Sequence, residues 1–162
     1  MSATGNQLLT EYGTAPATAV DDMPNTNSTM YRGIAVYSSE YSDPADIAQY
    51  VETLSQLELN ANFATSTMTG RAYNFKNVDP NYTIDGQIDV NGTISGNTFA
   101  ADVDGTTKEA AYGQSANVTY NGTVNGEFVG SNAQAVRGSG YAVGSAPGYQ
   151  PFPVWILWGA EK

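Results

Sequence analysis

Apolar and polar side chains alternate along much of the chain with a period of two residues. In the clearest run, Leu57, Leu59, Ala61 and Phe63 share one side and the residues between them are polar or small. Successive side chains of a β-strand point to opposite faces, so this pattern predicts a half-buried strand. The same reasoning predicts eight strands, at 31–38, 56–63, 68–75, 82–90, 98–103, 123–129, 136–143 and 154–160.

One segment carries helix signals instead. Asp43 can cap a helix, Pro44 suits its first turn, and apolar residues follow at helical spacing as far as Leu54. The sequence therefore predicts one short helix, about 44–54, lying over one end of the fold. Asn91-Gly92 is a typical tight-turn dipeptide, and the polar stretch 104–116 is predicted to be a loop.

Residues 122–138 read GTVNGEFVGSNAQAVRG and combine a strand pattern with repeated glycine. Gly126, Gly130 and Gly138 lack side chains where a strongly bent sheet needs space, and Phe128 lies between two of them. Together with eight strands on short links, this predicts an all-β fold. We expect an eight-stranded antiparallel up-and-down β-barrel with one short helix.

Two further expectations concern organisation. Residues 1–29 show no periodicity and are predicted to be an irregular N-terminal lead-in, and residues 30–162 a single β-barrel domain. An outer-membrane barrel is the alternative for such strands. Polar residues on one face of nearly every strand favour a single apolar core over a lipid-facing band.

Composition narrows the chemistry. The net charge is −10, which disfavours nucleic acid as a partner. The chain has no cysteine and no histidine, so disulfides, Cys/His metal sites and a Ser-His-Asp triad are excluded. No apolar run is long enough for a membrane helix. An enzyme would have to rely on Asp and Glu alone, and we predict that the protein is not an enzyme and needs no cofactor or metal.

The glycine-rich stretch also resembles a known family. Residues 126–138 match the pattern G-x-F-x-G-x-x-A-x-x-x-x-G, which is similar to the β-barrel domain of transferrin-binding-protein-B-like surface lipoproteins. The segments at 70–75, 85–88, 96–99 and 158–162 are similar to other strands of that barrel. The resemblance covers roughly residues 31–162, a single barrel without the accompanying handle domain.

The resemblance implies an exported Gram-negative protein, at the cell surface or secreted, that binds a partner protein or an iron- or haem-related ligand through its loops. We expect a mature form, with any signal peptide or lipid anchor located upstream of this chain. The family's binding residues lie in variable loops, so none can be transferred to positions in this sequence.

Candidate binding residues are therefore chosen from their chemistry. Rigid aromatic side chains in loops often anchor interfaces, although they can also pack onto the barrel end. Trp155 and Trp158 have opposite strand parity, so one should be buried and the other exposed. The candidates for ligand or partner binding are Tyr41, Tyr149, Phe152, Trp155 and Trp158.

Two alternatives concern small ligands. A lipocalin-like carrier would hold a ligand in a cavity lined by Phe63, Phe99, Phe128 and Ile88, whereas a surface-binding protein would fill its interior with side chains. A haem site would need tyrosine or methionine as the iron ligand, because histidine is absent. The residues considered for that role are Tyr31, Tyr37, Tyr41, Tyr50 and Met68.

Overall fold

A computed structural model describes residues 13–42, 48–111 and 114–162. It describes no side chains at 40–51 and 111–113. Eight antiparallel strands form a closed barrel in which each strand pairs with the next and β8 pairs with β1. The predicted barrel is thereby confirmed. The strands are β1 Ser28–Ser42, β2 Ala48–Asn62, β3 Thr67–Asn77, β4 Tyr82–Ser95, β5 Thr98–Ala111, β6 Gln114–Val129, β7 Ala135–Ser145 and β8 Phe152–Glu161.

The alternating pattern decides which side chains face inward. In β2, Leu57, Leu59 and Ala61 are buried, as the sequence predicts, and the intervening polar residues face solvent. A core built from all eight strands fills the barrel. Phe128 is completely buried and packs against three other rings, with ring centroids 5.9 Å from Tyr31, 5.4 Å from Phe63 and 5.9 Å from Phe99.

The predicted helix at 44–54 is wrong where it can be assessed. Residues 48–54 belong to β2, which pairs with β1 residue by residue along its whole length, and residues 43–47 lie outside the described residues. Thr53 and Ser55 are buried inside the barrel, while Leu54 points outward. Tertiary pairing has overridden a local helix signal, and within the described residues the only helical element is a 3-10 turn at Val20–Asp22.

The predicted turn and loop are also corrected. Asn91-Gly92 lies inside β4, opposite Asp102 and Ala101 of β5, and most of 104–116 lies within β5 and β6. A Cβ on Gly92 would lie 2.2 Å from the carbonyl oxygen of Ala100. Close approach of two strands, not turn geometry, therefore requires this glycine.

The glycines of the family-like stretch make room for one tryptophan. A Cβ on Gly126 would lie 2.5 Å from two ring carbons of Trp158, and a Cβ on Gly138 would lie 2.2 Å from Cζ2 of the same ring. Gly126 and Gly138 face each other on β6 and β7. Gly130 has φ of +77° and begins the turn between these strands. The three glycines thus admit a large ring and a sharp turn.

The two barrel ends differ in construction. We call the lower end the one with the connections at 63–66, 96–97 and 130–134, and the upper end the one with the connections at 78–81 and 146–151. Residues before β1 cover part of the lower end, where the Thr18 amide donates to the Phe128 carbonyl over 2.8 Å and Asn97 donates to the Thr18 carbonyl over 2.7 Å. Whether residues 1–29 form a separate lead-in stays a prediction.

Candidate functional site

A buried carboxylate lies inside the barrel near its upper end. Glu109 of β5 is only 8% exposed and accepts hydrogen bonds from the Tyr82 and Tyr120 hydroxyls. Thr107 donates a third, over 2.9 Å. Charge-assisted hydrogen bonds of this kind offset the cost of removing a carboxylate from water. The cluster ties three neighbouring strands, β4, β5 and β6, together inside the barrel.

Sequence reasoning missed this cluster because it predicted a loop at 104–116. A signal was nevertheless present. Phe99, Ala101 and Val103 form the apolar face of the predicted strand, and the same parity leads to Thr107 and Glu109. When strands are predicted from hydrophobicity, a polar residue on the inward face is taken as the end of the strand. Its partners, Tyr82 and Tyr120, lie on the two neighbouring strands, and the pairing of those strands with β5 brings them beside it.

Other polar groups line the same end of the interior. Asn77 donates from its side-chain amide to the Thr53 hydroxyl over 3.0 Å, and the Ser55 hydroxyl donates to the Tyr37 hydroxyl over 3.4 Å. The upper interior is therefore polar and hydrogen-bonded, whereas the lower interior is aromatic and aliphatic. Such hydrogen-bonded networks help to hold neighbouring strands in register.

Burial perturbs the inward-facing tyrosines. Desolvation raises the pKa of Tyr37 to about 12, with a smaller opposing effect from the Ser55 hydrogen bond. Desolvation, followed by the negative charge of Glu109, raises the pKa of Tyr120 well above its usual range. Burial likewise raises the pKa of Tyr31, whose hydroxyl donates to the Ala133 carbonyl over 2.8 Å. All three are held neutral in the folded state.

We expect these tyrosines to make the barrel sensitive to alkali. Each binds its proton more tightly when folded, so its contribution is fully present below the unfolded pKa of 10.0 and is lost as pH rises. Each such group should lower the free energy of unfolding by about 1.4 kcal/mol per pH unit above that value. Urea unfolding at pH 8, 10 and 11 measures this slope, and Tyr37→Phe should reduce it. An unchanged slope in that variant would contradict the assignment.

The described interior leaves no room for a carrier's ligand. A void of about 20 Å³ remains among apolar core side chains, including Ile88, Phe99 and Trp158. Ligand pockets for small molecules are typically on the order of 300–1,000 Å³. Phe63 and Phe128, which the lipocalin-like alternative placed around a cavity, pack against each other instead. The structure therefore gives no support to that alternative.

The residues considered for haem are placed in the same packed core. Tyr31 and Met68 are completely buried, and the Tyr31 hydroxyl is already hydrogen-bonded. Tyr37 is buried and bonded to Ser55. The side chains of Tyr41 and Tyr50 lie outside the described ones. None of the three described candidates faces a space that could hold a porphyrin.

The four predicted binding residues whose side chains are described lie in different places: the core, the upper end and the outer wall. Trp158 is 3% exposed and points into the core, whereas Trp155 is 47% exposed and points outward, which confirms their opposite parity. Phe152 packs inward against Tyr120, with ring centroids 6.4 Å apart. Tyr149 lies in the β7–β8 connection at the upper end.

Tyr41 lies one residue before the end of β1, so it reaches the same end as Tyr149. Its side chain lies outside the described ones, and its role stays a prediction. Phe152 and Trp158 are better explained as packing residues. Trp155 is exposed on the outer wall, and Tyr149 is half-buried in the connection at the upper end.

The outer wall has a groove over the glycine pair. It encloses about 760 Å³ across β4 to β8, and its lining includes Thr93, Asn125, Gly126, Gly138 and Leu157. Two charged residues at its edge bind each other: Arg137 donates to Glu127 over 2.7 Å and to the Gly13 carbonyl over 2.6 Å.

Acidic residues are concentrated on one part of the outer wall. Asp85 and Asp89 of β4 and Asp102 and Asp104 of β5 all point outward, with Asp89 directly opposite Asp104. Like charges in that arrangement repel. In the described part of the chain, no three acidic side chains are grouped so that they could hold a metal ion. The wall formed by β4 and β5 therefore carries more acidic than basic side chains, with Lys108 opposite Asp85 and Arg71 of β3 opposite Asp89.

Helices long and apolar enough to cross a bilayer do not occur in the described ranges.

These features define a class: a small closed β-barrel with a packed interior. The model of the C-lobe and N-lobe β-barrels of transferrin-binding protein B matches residues 23–149, and the chain belongs to this family. A search of curated proteins finds no match.

Solved structures agree with the family assignment. The chain is similar to a single mutant of the vaccine antigen transferrin binding protein B from Haemophilus parasuis Hp5, with 19% identity and a TM-score of 0.54. A double mutant of the same antigen gives 18% identity and a TM-score of 0.56. The match covers 90% of this chain in both cases, but only 28% and 27% of those chains. At this identity the likeness shows the fold.

Proposed function

We propose that the protein is an exported bacterial binding protein that recognises a partner protein through the loops at the upper end of its barrel. The observation that carries this proposal is the packed interior, which leaves a void of only about 20 Å³. Recognition by a barrel without a cavity has to take place on its surface. Membership in the transferrin-binding protein B family supports a binding role and an exported location.

The contrast between the two ends favours the upper one. At the lower end, residues 16–18 hydrogen-bond to Phe128 and Gly130 and so cover part of the end surface. At the upper end, the β3–β4 and β7–β8 connections span 78–81 and 146–151. Loops on a rigid barrel are the usual place for binding residues because the scaffold fixes their ends.

Two described side chains mark this surface. Val78 is 76% exposed in the β3–β4 connection, and Tyr149 lies in the β7–β8 connection. An exposed aliphatic residue and a tyrosine beside prolines are suited to a protein contact, where rigid apolar anchors contribute most of the energy. Tyr41 would join them from the end of β1.

The class of partner follows from the family. The similar solved structures are named for binding transferrin, so we propose a host protein that carries iron or haem. The packed core argues for recognition of the carrier protein over uptake of free haem. The net charge of −10 favours a partner whose contact surface is basic.

We expect substitutions at the upper end to weaken partner binding. Val78→Lys and Tyr149→Ala should each raise Kd by about tenfold or more, because they remove apolar anchors at the contact. Biolayer interferometry against immobilised iron-loaded transferrin, iron-free transferrin and haemoglobin measures this.

Leu157→Lys is the matched control for this experiment. It adds the same charge as Val78→Lys, but on the outer wall, and should leave partner binding unchanged. Equal binding by all three variants would contradict the proposed surface. Failure of the wild-type chain to bind any of the three proteins would contradict the proposed class of partner.

A further inference from the structure

Each of the two upper connections ends at an aromatic residue that begins the next strand. Tyr82 is the first residue of β4 and follows the 78–81 connection, and Phe152 is the first residue of β8 and follows the 146–151 connection. Both side chains turn to the inside: the Tyr82 hydroxyl donates to the buried carboxylate of Glu109, and Phe152 packs against the core. The course of each connection therefore depends on where its aromatic residue is held.

Phe152 is connected to the same carboxylate through Tyr120. In one cross-strand row, Gly144 of β7 lies between Tyr120 of β6 and Phe152 of β8. A Cβ on Gly144 would lie 2.3 Å from Cε2 and Cζ of Phe152, so the ring occupies the space of the missing side chain. The Phe152 and Tyr120 rings meet edge to face, with centroids 6.4 Å apart, and the Tyr120 hydroxyl donates to Glu109.

The two carboxylate oxygens of Glu109 are divided between these two paths. Oε2 accepts from Tyr82, whereas Oε1 accepts from Tyr120 and from Thr107. Hydrogen bonds to an ionised group are roughly twice as strong as those between neutral groups. Burial and the charge of Glu109 raise the pKa of Tyr120 well above its usual range, so its hydroxyl stays protonated and remains a donor. One buried carboxylate therefore holds an aromatic path from each connection.

We propose that Glu109 is a positioning residue that anchors both upper connections. Tyr82 links it to the first connection, and Tyr120 and Phe152 link it to the second. The exposed side chains of the two connections are thereby presented in a fixed relative arrangement, and a contact surface that is ordered in advance loses less entropy on binding. The use of this arrangement in recognition rests on the function proposed above, but the anchoring itself does not.

Amide hydrogen exchange measured by NMR tests the anchor on the free chain. Each connection contains a backbone hydrogen bond whose amide reports local opening: Tyr82 donates to the Asp79 carbonyl over 3.0 Å, and Tyr149 donates to the Ala146 carbonyl over 3.2 Å. Glu109→Gln should raise the exchange rates of both amides about tenfold or more. The reason is that a neutral amide side chain offers one acceptor oxygen where the charged carboxylate offers two.

Two milder variants each interrupt one path. Tyr82→Phe removes one hydroxyl and should accelerate only the amide at position 82. Gly144→Ala displaces the Phe152 ring from Tyr120 and should accelerate only the Tyr149 amide. If either variant accelerates neither amide, or both alike, the proposal is overturned, even where Glu109→Gln does not fold.

Phe63→Leu is the control, because it weakens the core at the lower end, where Phe63 packs against Phe128. It should leave both amides at their wild-type rates. Wild-type rates in Glu109→Gln, or a response of one connection only, would overturn the proposal. Acceleration by Phe63→Leu as large as that by Glu109→Gln would show that exchange follows global unfolding, and would overturn it too. These measurements need no partner, so they fail independently of the binding experiment with Val78→Lys and Tyr149→Ala.

Discussion

Replacing Gly138 by alanine should destabilise the barrel by at least about 3 kcal/mol, more than a typical overpacked core site. The new Cβ would lie 2.1 Å from the carbonyl oxygen of Asn125 and 2.2 Å from Cζ2 of Trp158. The first contact is with the backbone of a paired strand, which cannot move without breaking the ladder. Urea unfolding followed by tryptophan fluorescence, with circular dichroism for strand content, measures the loss.

Two comparisons make this test specific. Gly96→Ala has only Val20 nearby, at 3.6 Å, and should cost about 1 kcal/mol for its positive φ. At Gly126 the close contacts are side-chain atoms of Trp158 and Phe99. Trp158→Leu should therefore partly rescue Gly126→Ala but not Gly138→Ala. Equal rescue at both positions would show that the Trp158 ring is the sole reason that both positions must be glycine.

Replacing Phe128 by alanine should cost about 3–5 kcal/mol. Its ring is completely buried and contacts Tyr31, Phe63 and Phe99, so the substitution removes the centre of an aromatic cluster drawn from four strands or their ends. The surrounding strands form a closed ladder and can relax only slightly into the space. Chemical unfolding at neutral pH measures the difference.

Trp155→Ala is the matched control for this prediction. It removes a larger ring, but one on the outer wall, where it contacts Tyr141 and solvent. We expect a loss of less than about 1 kcal/mol. A larger loss for Trp155→Ala than for Phe128→Ala would contradict the assignment of these two rings to the outer and inner faces.

The alternation of inward-facing and outward-facing side chains along the strands could be predicted from the sequence on physical grounds. Leu57, Leu59 and Ala61 face inward as predicted, and Trp155 and Trp158 take opposite sides. Burial of one face is a strong constraint, because a shift of one residue would expose every core side chain of a strand. The number and the order of the strands were predicted from the same alternating pattern.

Strand length could not be read in this way. β1 continues to Ser42, and β2 already begins at Ala48, within the segment that carries good helix signals. The two strands extend this far because each satisfies the backbone hydrogen-bonding groups of the other. β5 continues to Ala111 with Thr107 and Glu109 facing inward. Local preference and hydrophobicity both mark these residues as ends, and only the neighbouring strands supply the hydrogen bonds that keep them in the sheet.

By itself the sequence determined that this chain is a barrel: the two-residue alternation and the spacing of its glycines permit one closed sheet around one core. Tertiary structure alone decided which surfaces are left for binding. Glu109 meets Tyr82 and Tyr120, and Val36 pairs with Leu157 on one side and Leu54 on the other, only because separate strands are brought into register. Such contacts join residues far apart in the chain, and no local pattern records them.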